Sequence, residues 1–153
     1  MKNAGFTLIE LLVVISIIGV LAGLLLTNFV GIRGRAADVK RKSDLQQLQK
    51  ALRLYYNDFQ SYPSASNDLV AGCGADGDAE CSGSFSTASE TYMSELPVGY
   101  TYYSDGDESF LLRAVLENVS DEDIASSQTK CDPEGRSYYG IAPENNEYFI
   151  CEN

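Results

Sequence analysis

The sequence has 153 residues, a formal net charge of −11, and neither histidine nor tryptophan. Without histidine there is no Ser-His-Asp triad, no Cys-His dyad and no histidine-built zinc site. The acidic balance argues against direct nucleic-acid binding, and the length fits one domain, or one small domain with an accessory element.

Charge and hydropathy are segregated along the chain. Residues 1–53 hold eight Lys/Arg and three Asp/Glu, a net of +5, whereas residues 54–153 hold three and nineteen, a net of −16. Between Leu11 and Ile32 there is no charge at all. The order is therefore an apolar rod, a basic amphipathic stretch and an acidic polar domain.

The rod, Phe6 to Val30, reads FTLIELLVVISIIGVLAGLLLTNFV. As a helix it is about 37 Å long, enough to cross a hydrocarbon core of ~30 Å with some tilt. A secretory signal peptide has a shorter apolar core, about 7–15 residues, followed by a small-residue cleavage site. A retained transmembrane helix over residues 6–30 is the better fit. Gly19 and Gly23 lie one turn apart. They suit either close helix packing or a point where the helix stretches or melts. Glu10 does not belong in a plain anchor, because a carboxylate inside an apolar segment is costly and marks function. If the chain is cut after Gly5, Phe6 gains an α-ammonium group one helical turn before Glu10. Pairing within one helix has poor geometry, so the amine of a neighbouring copy is the expected partner. The carboxylate also faces the positive end of the helix dipole.

Lys2 and Gly5 followed by Phe6-Thr7-Leu8-Ile9-Glu10-Leu11-Leu12 resemble the class III signal of type IV pilins and type II secretion pseudopilins. The resemblance implies that a prepilin peptidase removes residues 1–5 as a leader, cutting after Gly5 and methylating Phe6. It also implies that Glu10 is needed for assembly. Where family members often carry a helix-breaking proline, this chain has Thr27. Local melting of the helix would then rest on Gly19, Gly23 and Asn28.

Arg33, Arg35, Lys40, Arg41 and Lys42 follow the rod. Leu45, Leu48, Leu52, Tyr55 and Phe59 then recur at alternating spacings of three and four, one stripe of an amphipathic helix, widened by Ala51 and Tyr56. The spacing predicts a single helix from about Phe6 to Phe59, with residues 31–59 continuing into the globular domain and ending before Tyr62-Pro63. The basic bias after the rod by itself favours a cytoplasmic carboxyl side. The resemblance and the cysteines favour the outside, and that orientation is the one expected.

Residues 60–153 form the expected globular domain. Residues 60 to 91 are rich in Ser, Ala, Gly and Asp and read as a long exposed connection with at most a short helix. Tyr100-Thr101-Tyr102-Tyr103, Ser104-Asp105-Gly106-Asp107 and Ser109 to Leu116 read as a hairpin. Tyr138-Tyr139-Gly140-Ile141 and Tyr148-Phe149-Ile150 suggest further strands. Cys73, Cys81, Cys131 and Cys151 allow three pairings and lack metal-site spacing, so a disulfide framework in an oxidising compartment is expected. The favoured pairing is 73–81, pinning the Gly/Asp loop, with 131–151 tying the carboxyl terminus to the sheet. The acidic runs at Asp76-Gly77-Asp78-Ala79-Glu80 and Asp105-Gly106-Asp107-Glu108 could offer carboxylates to calcium. Solvated turns are the simpler reading, and no metal site or cofactor is assigned. Asn118-Val119-Ser120 matches a glycosylation sequon and is treated as chance.

The expected fold is α+β. A long amino-terminal helix, membrane-spanning in its first half, packs in its second half on a small antiparallel sheet, the form the resemblance implies for pilins. The expected function is that of a structural subunit of a type IV pilus-like helical filament, and not of an enzyme. The alternatives are a pseudopilin of a type II secretion system and a single-pass anchored binding module that never polymerises. The expected partners are copies of itself, the prepilin peptidase, the pilus assembly machinery and, before assembly, membrane lipid. The subunit is placed in the bacterial cytoplasmic membrane with its carboxyl-terminal domain outside, then in a surface filament. The charge split adds one expectation. The basic stretch Arg33 to Lys42 should meet acidic surface of a neighbouring copy, with Asp121, Glu122 and Asp123 as candidate partners.

Overall fold

The computed structural model describes residues 6–132, 137 and 139–152, with side chains at all of these except 25–31. It divides into two compact units, one ending at Ala36 and the other beginning at Ala37. Helix α1, Leu8–Phe59, supplies the first unit and opens the second.

In the first unit every side chain from Phe6 to Leu24 is exposed. The helix continues through Gly19 and Gly23, and a Cβ added at either meets nothing within 4 Å. Among the described residues neither glycine therefore has a packing partner. Among the described residues no helix is long and apolar enough to cross a membrane. The span expected over 6–30 includes side chains outside the described set, among them Thr27 and Asn28.

In the second unit the spacing of three and four places Leu45, Leu48, Ala51, Leu52 and Tyr55 in the core. Phe59, the last member of the expected stripe, stays 46% exposed and stacks on Tyr55 at 4.4 Å between ring centroids. The stripe packs in one cluster with an antiparallel sheet in the order β5 (Tyr100–Ser104), β6 (Phe110–Val115) and β7 (Glu147–Cys151). Pairing of Tyr102 with Leu112, and of Leu112 with Ile150, lays one apolar row across that inner face. Successive strand residues point to opposite faces. Leu111, Phe149 and Cys151 accordingly form a second, outer cluster with Cys131, Tyr103, Tyr139 and Ile141. The β5–β6 turn passes through Gly106 at φ 83, a left-handed conformation that favours glycine.

Three expectations are corrected. Residues 60–91 are not an exposed connection, since Tyr62, Val70, Ala71, Cys73, Cys81 and Phe85 are buried. Widely spaced large side chains reach the core with small residues between them. Two short hairpins carry Val70, Ala71 and Phe85: β1 (Ser64–Ser66) with β2 (Leu69–Ala71), and β3 (Phe85–Ser86) with β4 (Thr91–Met93). The β1–β2 turn closes on Asn67 and Asp68, both at positive φ, as a two-residue hairpin turn requires. Second, Tyr139 to Ile141 is not a strand. Gly140 at φ 68 breaks the extension, and Tyr138 lies outside the described residues. Third, the sequence reading did not find helix α2, Glu122–Lys130. Asp121 caps it by accepting the Asp123 N–H at 3.0 Å, and only Ile124 and Ser127 of the helix are buried.

Two disulfides join Cys73 to Cys81 and Cys131 to Cys151. The first closes a tight loop in which the Cys73 N–H donates to the Ala79 carbonyl at 3.0 Å and the Ala79 N–H returns to Cys73 at 2.9 Å. The second fastens the end of α2 to β7.

Candidate processing and assembly site

The amino-terminal site is built on the first turn of α1. The Leu11 N–H donates to the Thr7 carbonyl at 3.3 Å, so Thr7 stands at the cap. The Thr7 hydroxyl donates to Glu10 Oε2 at 2.6 Å and the Thr7 N–H donates to the same oxygen at 3.0 Å. The Glu10 N–H donates back to Thr7 Oγ1 at 3.4 Å. This reciprocal set is a capping box, which satisfies amide groups that a helix start otherwise leaves unpaired. The Thr-x-x-Glu spacing is its signal in the sequence, and Thr7 is the residue that reading missed. In this chain Glu10 is thus held by its own cap. Phe6, 79% exposed, precedes the cap. Gly5 lies outside the described residues.

The arrangement presents a carboxylate at the head of a helix whose side chains from Leu11 to Leu24 are apolar apart from Ser16. The prokaryotic N-terminal methylation motif matches residues 1–26. Over 68 residues the chain is 44% identical to the type II secretion system core protein G of Escherichia coli K12, covering 44% of this chain and 47% of that protein. It is 37% identical over 70 residues to the core protein G of Vibrio cholerae, covering 46% and 48%. It is 34% identical over 68 residues to the type IV major pilin protein PilA of Myxococcus xanthus, covering 44% and 31%. The amino-terminal part of the chain is thus similar to pilins and pseudopilins. The matched stretch spans about half the length of the core protein G relatives, or less. No solved structure matches it.

As the resemblance to pilins implies, the chain sets small antiparallel sheets after a long amino-terminal helix. A second polar site fastens α1 to the β6–α2 connection. Asp38 is fully buried on α1. Its carboxylate accepts the N–H groups of Glu117 and Asn118, both at 2.8 Å, and Arg41 Nη1 at 2.7 Å. Arg41 also reaches Glu117 at 2.8 Å. Burial pushes the Asp38 carboxyl up, but the two N–H bonds and the Arg41 guanidinium together hold it below its ordinary value. One turn along, Lys42 Nζ donates to Asp121 Oδ2 at 2.9 Å and to Asp123 Oδ2 at 2.7 Å. Burial lowers the Lys42 value, but the two carboxylates outweigh it and leave the ammonium group raised.

These bonds correct the inter-subunit expectation for Lys42, Asp121 and Asp123. Lys42 on α1 meets Asp121, the cap of α2, and Asp123 in its first turn within one chain. Glu122 is exposed. Among the described residues no group of three or more acidic or cysteine side chains could hold a metal ion.

Proposed function

We propose that the chain is a structural subunit of a type IV pilus-like helical filament, made as a membrane-held precursor. In this reading a prepilin peptidase cuts after Gly5 and methylates Phe6. The apolar rods then pack as the filament core, with the globular domains outside. The single observation that carries the reading is the Glu10 carboxylate at the head of a helix exposed from Phe6 to Leu24. A helix apolar all round is stable only in lipid or among other helices, and a plain anchor has no use for the carboxylate. Intact-mass measurement of the cell-derived protein tests the reading. Loss of Met1 to Gly5 plus one methyl group is expected, and a mature chain still beginning at Met1 contradicts it.

The relatives named as core protein G support a second reading, a pseudopilin of a type II secretion system. A deletion strain separates the two. Loss of surface filaments supports the pilus, and loss of exoprotein release with surface filaments retained supports the secretion system.

A further inference from the structure

The structure sorts the basic residues after the rod into two kinds. Arg41 and Lys42 are engaged by carboxylates of the second unit. Lys40, further along α1, and Arg33 and Arg35, in the first unit, are exposed and take part in no ion pair among the described residues; the two arginines adjoin the apolar run. Their place along the chain is set by the apolar run. Leu11 to Ile32 is 22 residues without a charge, about 33 Å as a helix, which matches a hydrocarbon core of ~30 Å. With Glu10 at one boundary of that core, Arg33 and Arg35 fall at the other, at the depth of the lipid phosphates. Residues two apart lie on opposite flanks of a helix. A single docked protein would meet one flank, whereas headgroups ring a helix where it leaves the bilayer.

We propose that Arg33 and Arg35 form a collar that binds the phosphate groups of anionic phospholipids where the apolar helix emerges. The planar guanidinium forks match phosphate oxygens in pairs. This rests on the reading of residues 6–30 as membrane-held before assembly. The acidic remainder of the chain, net −16 over residues 54–153, is repelled by an anionic surface. A preference for anionic lipid therefore has to come from the basic segment.

The test uses the full chain in bilayer nanodiscs of equal parts phosphatidylcholine and phosphatidylglycerol. Native mass spectrometry then reads the lipids the chain retains. The wild type should retain phosphatidylglycerol in preference by about fivefold per arginine, falling as salt is raised. The Arg33→Gln/Arg35→Gln variant should retain the two lipids in the bilayer's own ratio, and Lys50→Gln should behave as the wild type. Equal retention by the wild type, or preference surviving in the double variant, overturns the proposal. So does displacement of the lipid by inorganic phosphate that itself stays on the chain, which would mark a site for a free anion. A double variant that assembles no filaments yet keeps the wild-type lipid ratio assigns the arginines to a second copy instead. Flotation with vesicles of phosphatidylcholine alone separates the two failures. A chain that does not float loses the membrane reading and the collar with it, and one that floats without headgroup preference loses the collar alone.

Discussion

Glu10 has two duties that one substitution separates. Within the chain it closes the capping box with Thr7, and in an assembly it would neutralise the amine of a neighbour. Glutamine also serves at that capping position but carries no charge. Glu10→Gln should therefore insert and be processed normally, yet fail to form filaments. Filaments at wild-type number would leave capping as the only role of Glu10. The box was legible in the Thr-x-x-Glu spacing. Asp38 was not, since an aspartate among Arg and Lys on a helix looks like any solvated charge. Only the N–H groups of Glu117 and Asn118, 79 and 80 residues away, reveal it. Asp38→Ala strands those groups and Arg41, and should cost about 3–5 kcal/mol in chemical denaturation of the full chain. The depressed Asp38 value gives stability that is present above its ordinary value of 3.8 and lost as pH falls through the depressed one. The raised Lys42 value gives stability that is complete below 10.5 and lost as pH rises through the raised one. Acid unfolding followed by circular dichroism should lose part of its pH dependence in Asp38→Asn, and an unchanged acid limb would contradict the linkage.

At the scale of elements, strong periodicity was legible and short elements were not. The stripe from Leu45 to Tyr55 and the Asp-Gly hairpin each repeat a pattern over enough residues to be read. Helix α2 buries only Ile124 and Ser127, which leaves no apolar stripe, and its start is signalled only by the Asp121 cap and the acidic first turn of Glu122 and Asp123. Residues 64–71 hide a hairpin because Asn67 and Asp68 make its turn without glycine. If Asp121 is both cap and Lys42 partner, Asp121→Ala should cost about 1–2 kcal/mol, and Lys42→Met in that background, where the exposed Asp123 is its remaining carboxylate, should cost less than it does alone. Additive losses would show that the two bonds are independent. The disulfide from Cys131 to Cys151 closes a span of 20 residues. Its replacement by Cys131→Ser/Cys151→Ser should lower stability by about 3 kcal/mol, measured by urea denaturation. A loss below a third of that would mean the outer cluster of Leu111 and Phe149 holds β7 without it.

For the whole molecule the decisive features are an exposed apolar helix, a capped carboxylate at its head and a separate acidic domain. The Asp38 and Lys42 bonds, two disulfides and two apolar clusters of the domain all form within one chain. The apolar helix differs, as its side chains from Phe6 to Leu24 all remain exposed. That imbalance is the physical reason to expect lipid first and copies of the same helix afterwards. Electron microscopy of surface filaments, with peptide identification of their subunit, tests this most directly in the native cell. The account predicts filaments that contain this chain, begin at methylated Phe6, and disappear in both the deletion strain and the Glu10→Ala strain. Undiminished filaments of this chain in the Glu10→Ala strain would contradict it.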